Sequence, residues 1–197
     1  MYRLDSKGFT LFELIVVMMV SSFLLISLFG FTSRSINSFM KMQAEGLARS
    51  KLADGVFRVS QVLRSSNFVE EANADSFTAY AYFAPQDLYT SKIRYYLSPS
   101  QDQLLADVTP MTADYPVGTL LTGQQKTVVI IDKFYKRSSY PTFQYFTSTN
   151  AELSAPVSSM DSIDNITVNL YTKVYQATDE YKSSTLTVNM RNRKSNL

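Results

Sequence analysis

The stretch KGFTLFELIVVMMV, residues 7–20, places a single acid, Glu13, at the head of a long apolar run. Residues 14–33 carry no charge, and the apolar stretch 9–31 would rise about 34 Å as a helix, enough to cross the hydrocarbon core of a bilayer. A secretory signal peptide is the competing interpretation, but its apolar region usually spans only about 7–15 residues and ends at a small-residue cleavage site. The sequence therefore predicts a retained transmembrane helix.

Composition narrows the classes of function. The 197 residues are enough for one domain plus an accessory element, and the formal charge of +2 gives no global field that would recruit nucleic acid or anionic lipid. The chain contains no Cys and no His, so disulfides, thiolate metal sites and the commonest general base are unavailable. Asp161 and Asp164 fall short of the oxygen shell that calcium takes. We therefore expect a non-enzymatic protein with no cofactor and no metal site.

The heptapeptide KGFTLFE, residues 7–13, followed by the apolar run, closely resembles the class III signal of type IV pilins and of type II secretion pseudopilins. The resemblance implies that a prepilin peptidase cleaves between Gly8 and Phe9 and that Phe9 is then N-methylated. It implies that Glu13 sets the axial register of the subunit during assembly. The implied partners are other pilin subunits, prepilin peptidase, an assembly platform protein and ATPase, and membrane lipid.

The resemblance and the residue pattern together predict an α+β, pilin-like fold, with one long helix packed on a C-terminal antiparallel sheet. The expected division is a leader peptide at residues 1–8, a transmembrane half-helix at 9–33, an amphipathic half-helix at 34–66 and a β-rich globular domain at 67–197. The helix is expected to run from about Phe9 to Ser65. Apolar residues at three- and four-residue spacing predict its packed face: Ala48, Leu52, Val56, Val59 and Leu63.

Beyond Asn67 the apolar residues alternate with polar ones, which is typical of strands. Strands are predicted at residues 76–83, 92–97, 103–108, 127–135, 142–147, 165–176 and 184–191. Turn-forming residues at 98–102 should join the second and third strands. Residues 177–183 should turn the last two strands into an antiparallel hairpin with one buried face, on which the helix would pack. Residues 150–162 are expected to form a long loop.

Glu13 has two interpretations. Thr10 and Glu13 fit the capping-box pattern, in which the two side chains satisfy free amide hydrogens at a helix start. A charged side chain in a membrane is also expensive, by about 2.5–3.5 kcal/mol at mid-bilayer on insertion scales, so a partner is expected. In the resembled family the proposed partner is the amino terminus of a neighbouring subunit, here Phe9. We expect the cap and the intersubunit pair together, with the cap alone as the alternative.

A cluster of basic and aromatic residues suggests a second function. The bases Lys133, Lys136 and Arg137 lie close in sequence to Tyr140, Phe143, Tyr145 and Phe146. Bases interleaved with aromatic rings are the ingredients of a surface that binds single-stranded nucleic acid. Aromatic residues in strands are more often part of the sheet packing. The alternative function is therefore a DNA- or surface-binding receptor displayed on a filament, as in a competence or adhesion pilus.

The sequence predicts a structural subunit of a type IV pilus or a type II secretion pseudopilus, without distinguishing the two. Residues 91–105 and 184–193 are similar to segments of W-type minor pilins and J-type pseudopilins, which favours a minor subunit. We expect a single-pass protein of the cytoplasmic membrane whose C-terminal domain lies outside the cytoplasm. After assembly it would be part of an extracellular or periplasmic filament.

Overall fold

A computed structural model describes residues 10–174 and 180–190 of the chain. Helix α1, Leu11–Arg64, contains 54 residues, and its N-terminal part is long and apolar enough to cross a membrane, judged by length and composition. The predicted helix is thus confirmed, although Phe9 lies outside the described residues. The chain divides into two compact units, Met1–Ala44 and Glu45–Leu197.

The first unit contains the apolar part of α1. Every side chain from residue 10 to residue 43 is exposed, including the large apolar ones. The hydroxyl of Ser22 donates a hydrogen bond to the carbonyl oxygen of Met18 at 2.7 Å, and that of Thr32 donates to Leu28 at 2.8 Å. These polar groups are therefore satisfied within the helix, as an apolar environment requires.

The second unit combines the rest of α1 with two antiparallel sheets. Its described strands are β1 (Phe68–Ala72), β2 (Ser76–Ala81), β3 (Ser91–Leu97), β4 (Leu104–Pro110), β5 (Lys126–Ile131), β6 (Phe143–Phe146), β7 (Glu152–Leu153), β8 (Asn165–Lys173) and β9 (Tyr181–Asn189). One sheet has the order β1-β2-β3-β4-β5, and the other has the order β7-β6-β8-β9. Short 3-10 helices lie at Thr122–Gln124 and Met160–Ser162. The predicted α+β, pilin-like fold is confirmed.

The core joins one face of α1 to both sheets. Val59 and Leu63 of the helix are fully buried in one cluster with Phe77 of the first sheet and Leu170 of the second. Burying an apolar side chain of this size contributes about 1.5–3 kcal/mol. The predicted helix face is confirmed at Ala48, Leu52, Val59 and Leu63, while Val56 is only partly buried.

Helix and sheet approach each other closely at Gly55. An added Cβ at this glycine would lie 3.0 Å from Cγ1 of Ile131 in β5, so a larger residue would push the two elements apart. The terminal hairpin was expected to be the surface under the helix. The helix meets the five-stranded sheet at this point, and it also meets the hairpin, because Leu170 and Val188 belong to the same core cluster and Lys182 pairs with Glu45.

The predicted strand at 127–135 is wrong in its second half. Strand β5 ends at Ile131, and the chain then crosses from the first sheet to the second. Asp132 forms an ion pair with Lys51 of α1 at 2.6 Å. Two residues later, Phe134 bridges to Thr172 of β8. Residues 127–135 therefore contribute to both sheets, so they do not form the single strand that was predicted.

Strands β1 and β7 were not predicted. In β1 the pairing with β2 shifts between Val69 and Glu71, so that the buried residues Val69 and Ala72 stand three positions apart. This bulge removes the alternation by which a strand is recognised. Strand β7, with Glu152 and Leu153, is too short to show any period, and it lies inside the loop predicted at 150–162.

The predicted turn and hairpin are present with shifted limits. At 98–102, the amide of Gln101 donates to the carbonyl of Ser98 at 2.8 Å, which closes the turn. Strands β8 and β9 form the predicted antiparallel hairpin, but β9 begins at Tyr181, and residues 175–179 and 191 lie outside the described part. In β8 both faces are buried rather than one, because Thr167 and Asn169 are covered as well as Ile166 and Val168.

Candidate functional site

Helix α1 begins with a complete capping box. The amide of Thr10 donates to Oε2 of Glu13 at 2.9 Å, and the Thr10 hydroxyl donates to the same oxygen at 3.0 Å. In return, the amide of Glu13 donates to Oγ1 of Thr10 at 3.3 Å. This reciprocal pattern satisfies amide groups that a helix start leaves free. The capping-box prediction is confirmed.

The Glu13 carboxylate remains accessible despite the cap. The residue is exposed, and within residues 10–174 and 180–190 the recorded hydrogen bonds engage its Oε2 alone. A carboxylate at a helix N-terminus is also favoured by the helix dipole. Chemically, this position can accept hydrogen bonds from a cation of another chain. Gly8 and Phe9, the predicted cleavage and methylation positions, lie outside the described residues.

The helix behind this cap presents apolar side chains on every face. Leu11, Phe12 and Phe31 are each more than 70% exposed. A contiguous apolar surface of more than a few hundred Å² marks a site of membrane or protein contact. A shallow apolar groove of about 310 Å³ on the same segment is lined by Met19, Val20, Phe23, Leu24 and Ser27. The first unit is therefore suited to membrane anchoring and to contact with other apolar helices.

Residues 3–29 match the family model described as the prokaryotic N-terminal methylation motif. The match supports a class III signal on a type IV pilin-like or pseudopilin-type protein. A motif of this type implies assembly with other pilin subunits and processing by prepilin peptidase. The matched segment ends within α1, so it concerns the signal and the apolar helix rather than the β-rich unit. A comparison with curated proteins finds no match.

Lys136, the central base of the predicted nucleic-acid surface, is held in a polar junction between the two sheets. It forms an ion pair with Asp75, which lies between β1 and β2, and donates to the carbonyl of Tyr140 at 3.2 Å. Asp75 also accepts from the hydroxyl of Thr142 at 2.8 Å. Partial burial tends to raise the pKa of Asp75, but the hydrogen bonds and charge from Lys136 and Thr142 outweigh it, so that its pKa lies below the usual value. Lys136 thus has a structural partner.

The other two predicted bases have different surroundings. The guanidinium of Arg137 lies 4.3 Å from the ring centre of Tyr140, 5.2 Å from that of Tyr181 and 5.7 Å from that of Tyr171. Each such cation–π contact contributes about 0.5–1 kcal/mol at an exposed site. Lys133 is exposed, and its backbone carbonyl accepts from the amide of β8 residue 173. Arg137 therefore ties its segment to the terminal hairpin through its side chain, whereas Lys133 does so through its backbone carbonyl.

The aromatic residues of this segment divide between core and surface. Phe143 and Tyr145 are fully buried, as the packing interpretation expected, whereas Tyr140 is 47% exposed. Binding of nucleic acid or of a surface stays a prediction, with Lys133, Arg137 and Tyr140 as its accessible members. Among the residues that the structure describes, no group of three or more acidic side chains is placed to hold a metal ion.

Sequence reasoning missed the polar network around the Asp75 turn. The carboxylate of Glu71 accepts hydrogen bonds from Asn73, Ser76 and Thr78. The buried hydroxyl of Tyr145 donates to the carbonyl of Asn73 at 2.7 Å. The polar residues at 71–78 indicate a turn from the sequence alone. Tyr145 stands 72 positions after Asn73, so its hydrogen bond could not be inferred from residue spacing.

Proposed function

We propose that the chain is a non-enzymatic structural subunit, of the minor kind, of a type IV pilus or a type II secretion pseudopilus. The observation that carries this proposal is the first unit: a methylation-type signal followed by a capped helix with apolar side chains exposed on all sides. The minor assignment rests on the similarity of residues 91–105, which form β3, its turn and the start of β4, and of residues 184–193.

The exposed helix has two environments in this proposal. Before assembly it lies in the cytoplasmic membrane as a single span, with the β-rich unit outside the cytoplasm. After assembly it packs among the helices of neighbouring subunits in an extracellular or periplasmic filament. Because lipid tails are as apolar as leucine, transfer between these environments gains little from the hydrophobic effect. Close packing and polar pairing must therefore select the assembled arrangement.

Glu13 provides such a polar pair. Cleavage after Gly8 would create a charged amino group on Phe9, near the same end of the helix as Glu13. If the carboxylate of one subunit meets the amino group of the next, both charges are paired in an apolar environment. A slip by one helical turn, about 5.4 Å, would leave both unpaired, and a lone charge at mid-bilayer costs about 2.5–3.5 kcal/mol. The pair thus sets the axial register.

The proposal includes the partners that such assembly needs. Prepilin peptidase removes residues 1–8, a platform membrane protein receives the subunit, and a cytoplasmic ATPase supplies the work of extracting the helix from lipid. The β-rich unit then faces outward, where it contacts other subunits or the surroundings. No catalytic step is assigned to any residue of the chain.

The decisive experiment is mass spectrometry of the amino terminus of the protein from its native cells. The expected result is a mature chain that starts at N-methylated Phe9. A Gly8→Leu variant is the control, and it should retain Met1 because the peptidase site is lost. An intact Met1 on the unaltered chain, in cells with active prepilin peptidase, would overturn the proposal.

A further inference from the structure

The five-stranded sheet ends at β5, and the first half of this strand is open. Val129 is 45% exposed, whereas Ile130 and Ile131 are 8% and 2% exposed, because α1 covers that end of the strand at Gly55. Within residues 10–174 and 180–190, β5 pairs along its length with β4 only. Alternate residues of an edge strand turn their N–H and C=O groups outward. Residues 126–129 therefore present a free backbone edge.

A groove of about 540 Å³ lies over the sheet between segment 83–89 and α1, and it reaches this edge at Lys126 and Val128. Its apolar lining includes Val108, Met111 and Val128, and its charged lining includes Arg58 of α1 and Lys126 of β5. Val128 and Val108 also contribute to the core side of the sheet. A strand added along β5 would place every second side chain on this side, in or next to the groove. The groove thus adjoins the backbone edge through Lys126 and Val128.

The charge of the site is positive. Neither Arg58 nor Lys126 takes part in an ion pair within the described part of the chain. Asp87 also lines the groove, but its carboxylate accepts hydrogen bonds from the amides of Phe83 and Ala84, at 3.1 and 2.8 Å. Two free cations beside an engaged carboxylate favour an anionic occupant.

The other described edges are less suited to pairing. Strand β1 carries a bulge, and the carbonyl of Ala72 already accepts from the amide of Val157. Strand β7 has only two residues. The described residues of β9 include one charged side chain, the basic Lys182, which pairs with Glu45 of α1. The acids of these other edges already have partners: Glu70 pairs with Lys92, Glu71 accepts from Thr78, and Glu152 accepts from Gln144. A second copy of this chain is therefore a poor match for β5.

We propose that β5 binds an extended acidic segment of a different polypeptide by strand addition along residues 126–129. Backbone hydrogen bonds to the open edge provide the affinity, and the groove provides the specificity, as in other cases of strand addition. Carboxylates on the core-side face of the added strand lie next to Arg58 and Lys126, where opposite charges on neighbouring strands stabilise pairing. The proposal does not rest on the proposed role in a filament.

Peptide binding to the full chain in detergent micelles tests the proposal by fluorescence anisotropy. The probe is a short labelled strand-forming peptide with valine and glutamate on one face. The first comparison peptide has lysine in place of glutamate. Two further acidic peptides carry backbone N-methyl groups, one on the odd-numbered residues and the other on the even-numbered residues, so that only one of them blocks the amides that face β5. We expect the acidic peptide to bind, the lysine peptide to bind at least about tenfold more weakly, and one methylated set alone to abolish binding.

Variants of the chain identify the site. Arg58→Gln and Lys126→Gln should each weaken binding of the acidic peptide about fivefold, the size of one partly exposed ion pair. Arg49→Gln, an exposed change two and a half helical turns before Arg58, should leave it unaltered. All three side chains are exposed, so the variants should keep the fold, which circular dichroism verifies.

Several outcomes would overturn the proposal. These are the absence of peptide binding, equal binding of the acidic and lysine peptides, and tolerance of N-methylation in both sets. Self-association of the chain that the acidic peptide competes away would assign the edge to a second copy, and would also overturn it.

Discussion

Glu13 has an observed role in the helix cap and a proposed role in intersubunit pairing, and single substitutions can separate the two. Its hydrogen bonds with Thr10 need only an acceptor oxygen, whereas pairing with an amino group needs the negative charge. The cap was predictable from the sequence because Thr10 and Glu13 stand three positions apart at a helix start, whereas the pairing is implied by the family resemblance. The partner of Lys136 was not predictable, since Asp75 stands 61 positions away and is brought near by the packing of two sheets.

Glu13→Gln tests the role of the charge. Glutamine retains an amide oxygen for the cap, so helix content should stay unchanged, but the intersubunit pair is lost. We expect incorporation into filaments to fall at least about tenfold, corresponding to about 1.4 kcal/mol of lost pairing. Immunoblots of sheared filaments and of the remaining membranes measure this.

Thr10→Val is the matched control for the cap, because it removes the hydroxyl and keeps the carboxylate. It should cost about 0.5–2 kcal/mol of helix stability and reduce incorporation less than the glutamine variant does. Equal incorporation of the glutamine variant and the unaltered chain would leave Glu13 with the cap alone.

At the scale of the elements, two of the three glycines of α1, Gly46 and Gly55, have opposite surroundings. Gly55 contacts Ile131 of β5, whereas a Cβ added at Gly46 would meet nothing within 4 Å. Replacing glycine within a helix gains up to about 1 kcal/mol of helix propensity, while overpacking a core costs about 1–3 kcal/mol. The same substitution should therefore have opposite effects at the two positions.

Gly55→Leu should lower the free energy of unfolding of the β-rich unit by about 1–2 kcal/mol, and Gly46→Leu should raise helix stability by up to about 1 kcal/mol. Thermal unfolding followed by near-ultraviolet circular dichroism, which reports the packed tyrosines, measures the first change. Far-ultraviolet ellipticity at 222 nm reports the second. Equal stability of the two variants would mean that β5 can move away from α1 without cost.

The element pattern shows what the sequence can predict here and what it cannot. Periodicity located α1 and the strands that keep one alternation over their first five residues, such as β3 and β4. It failed where the chain leaves a regular period: at the bulge in β1 and at Asp132, where an apolar run changes sheet. These features depend on which elements pack together. The spacing of residues along the chain does not predict the order of strands in the two sheets.

At the scale of the whole β-rich unit, the two sheets are joined by the junction of Asp75, Lys136 and Thr142. The side chain of Lys136 is 18% exposed, so loss of its counter-charge leaves an ammonium group that is poorly solvated. The side chain of Asp75 is 42% exposed, and solvent screening keeps the contribution of the pair modest. This junction should make stability depend on pH in acid.

The pH dependence follows from the direction of the Asp75 pKa. Its hydrogen bonds with Lys136 and Thr142 hold the pKa below the value of about 3.9 that it takes in the unfolded chain. The stabilisation is therefore fully present above about pH 4 and is lost as the pH falls through the lower, folded pKa. Asp75→Asn should lower the free energy of unfolding by about 1 kcal/mol at neutral pH and by progressively less below about pH 4.

Denaturant unfolding of the full chain in detergent, repeated between neutral and acid pH, measures the difference in the free energy of unfolding between the unaltered chain and Asp75→Asn. This difference should shrink as the pH falls. Asp54→Asn is the matched control, because Asp54 is an exposed carboxylate on α1 outside the junction. Its effect should stay within about 0.5 kcal/mol, as for other surface substitutions. If the difference caused by Asp75→Asn did not change with pH, the loss would come from altered shape and packing at the turn. The ion pair would then contribute nothing to holding the two sheets together.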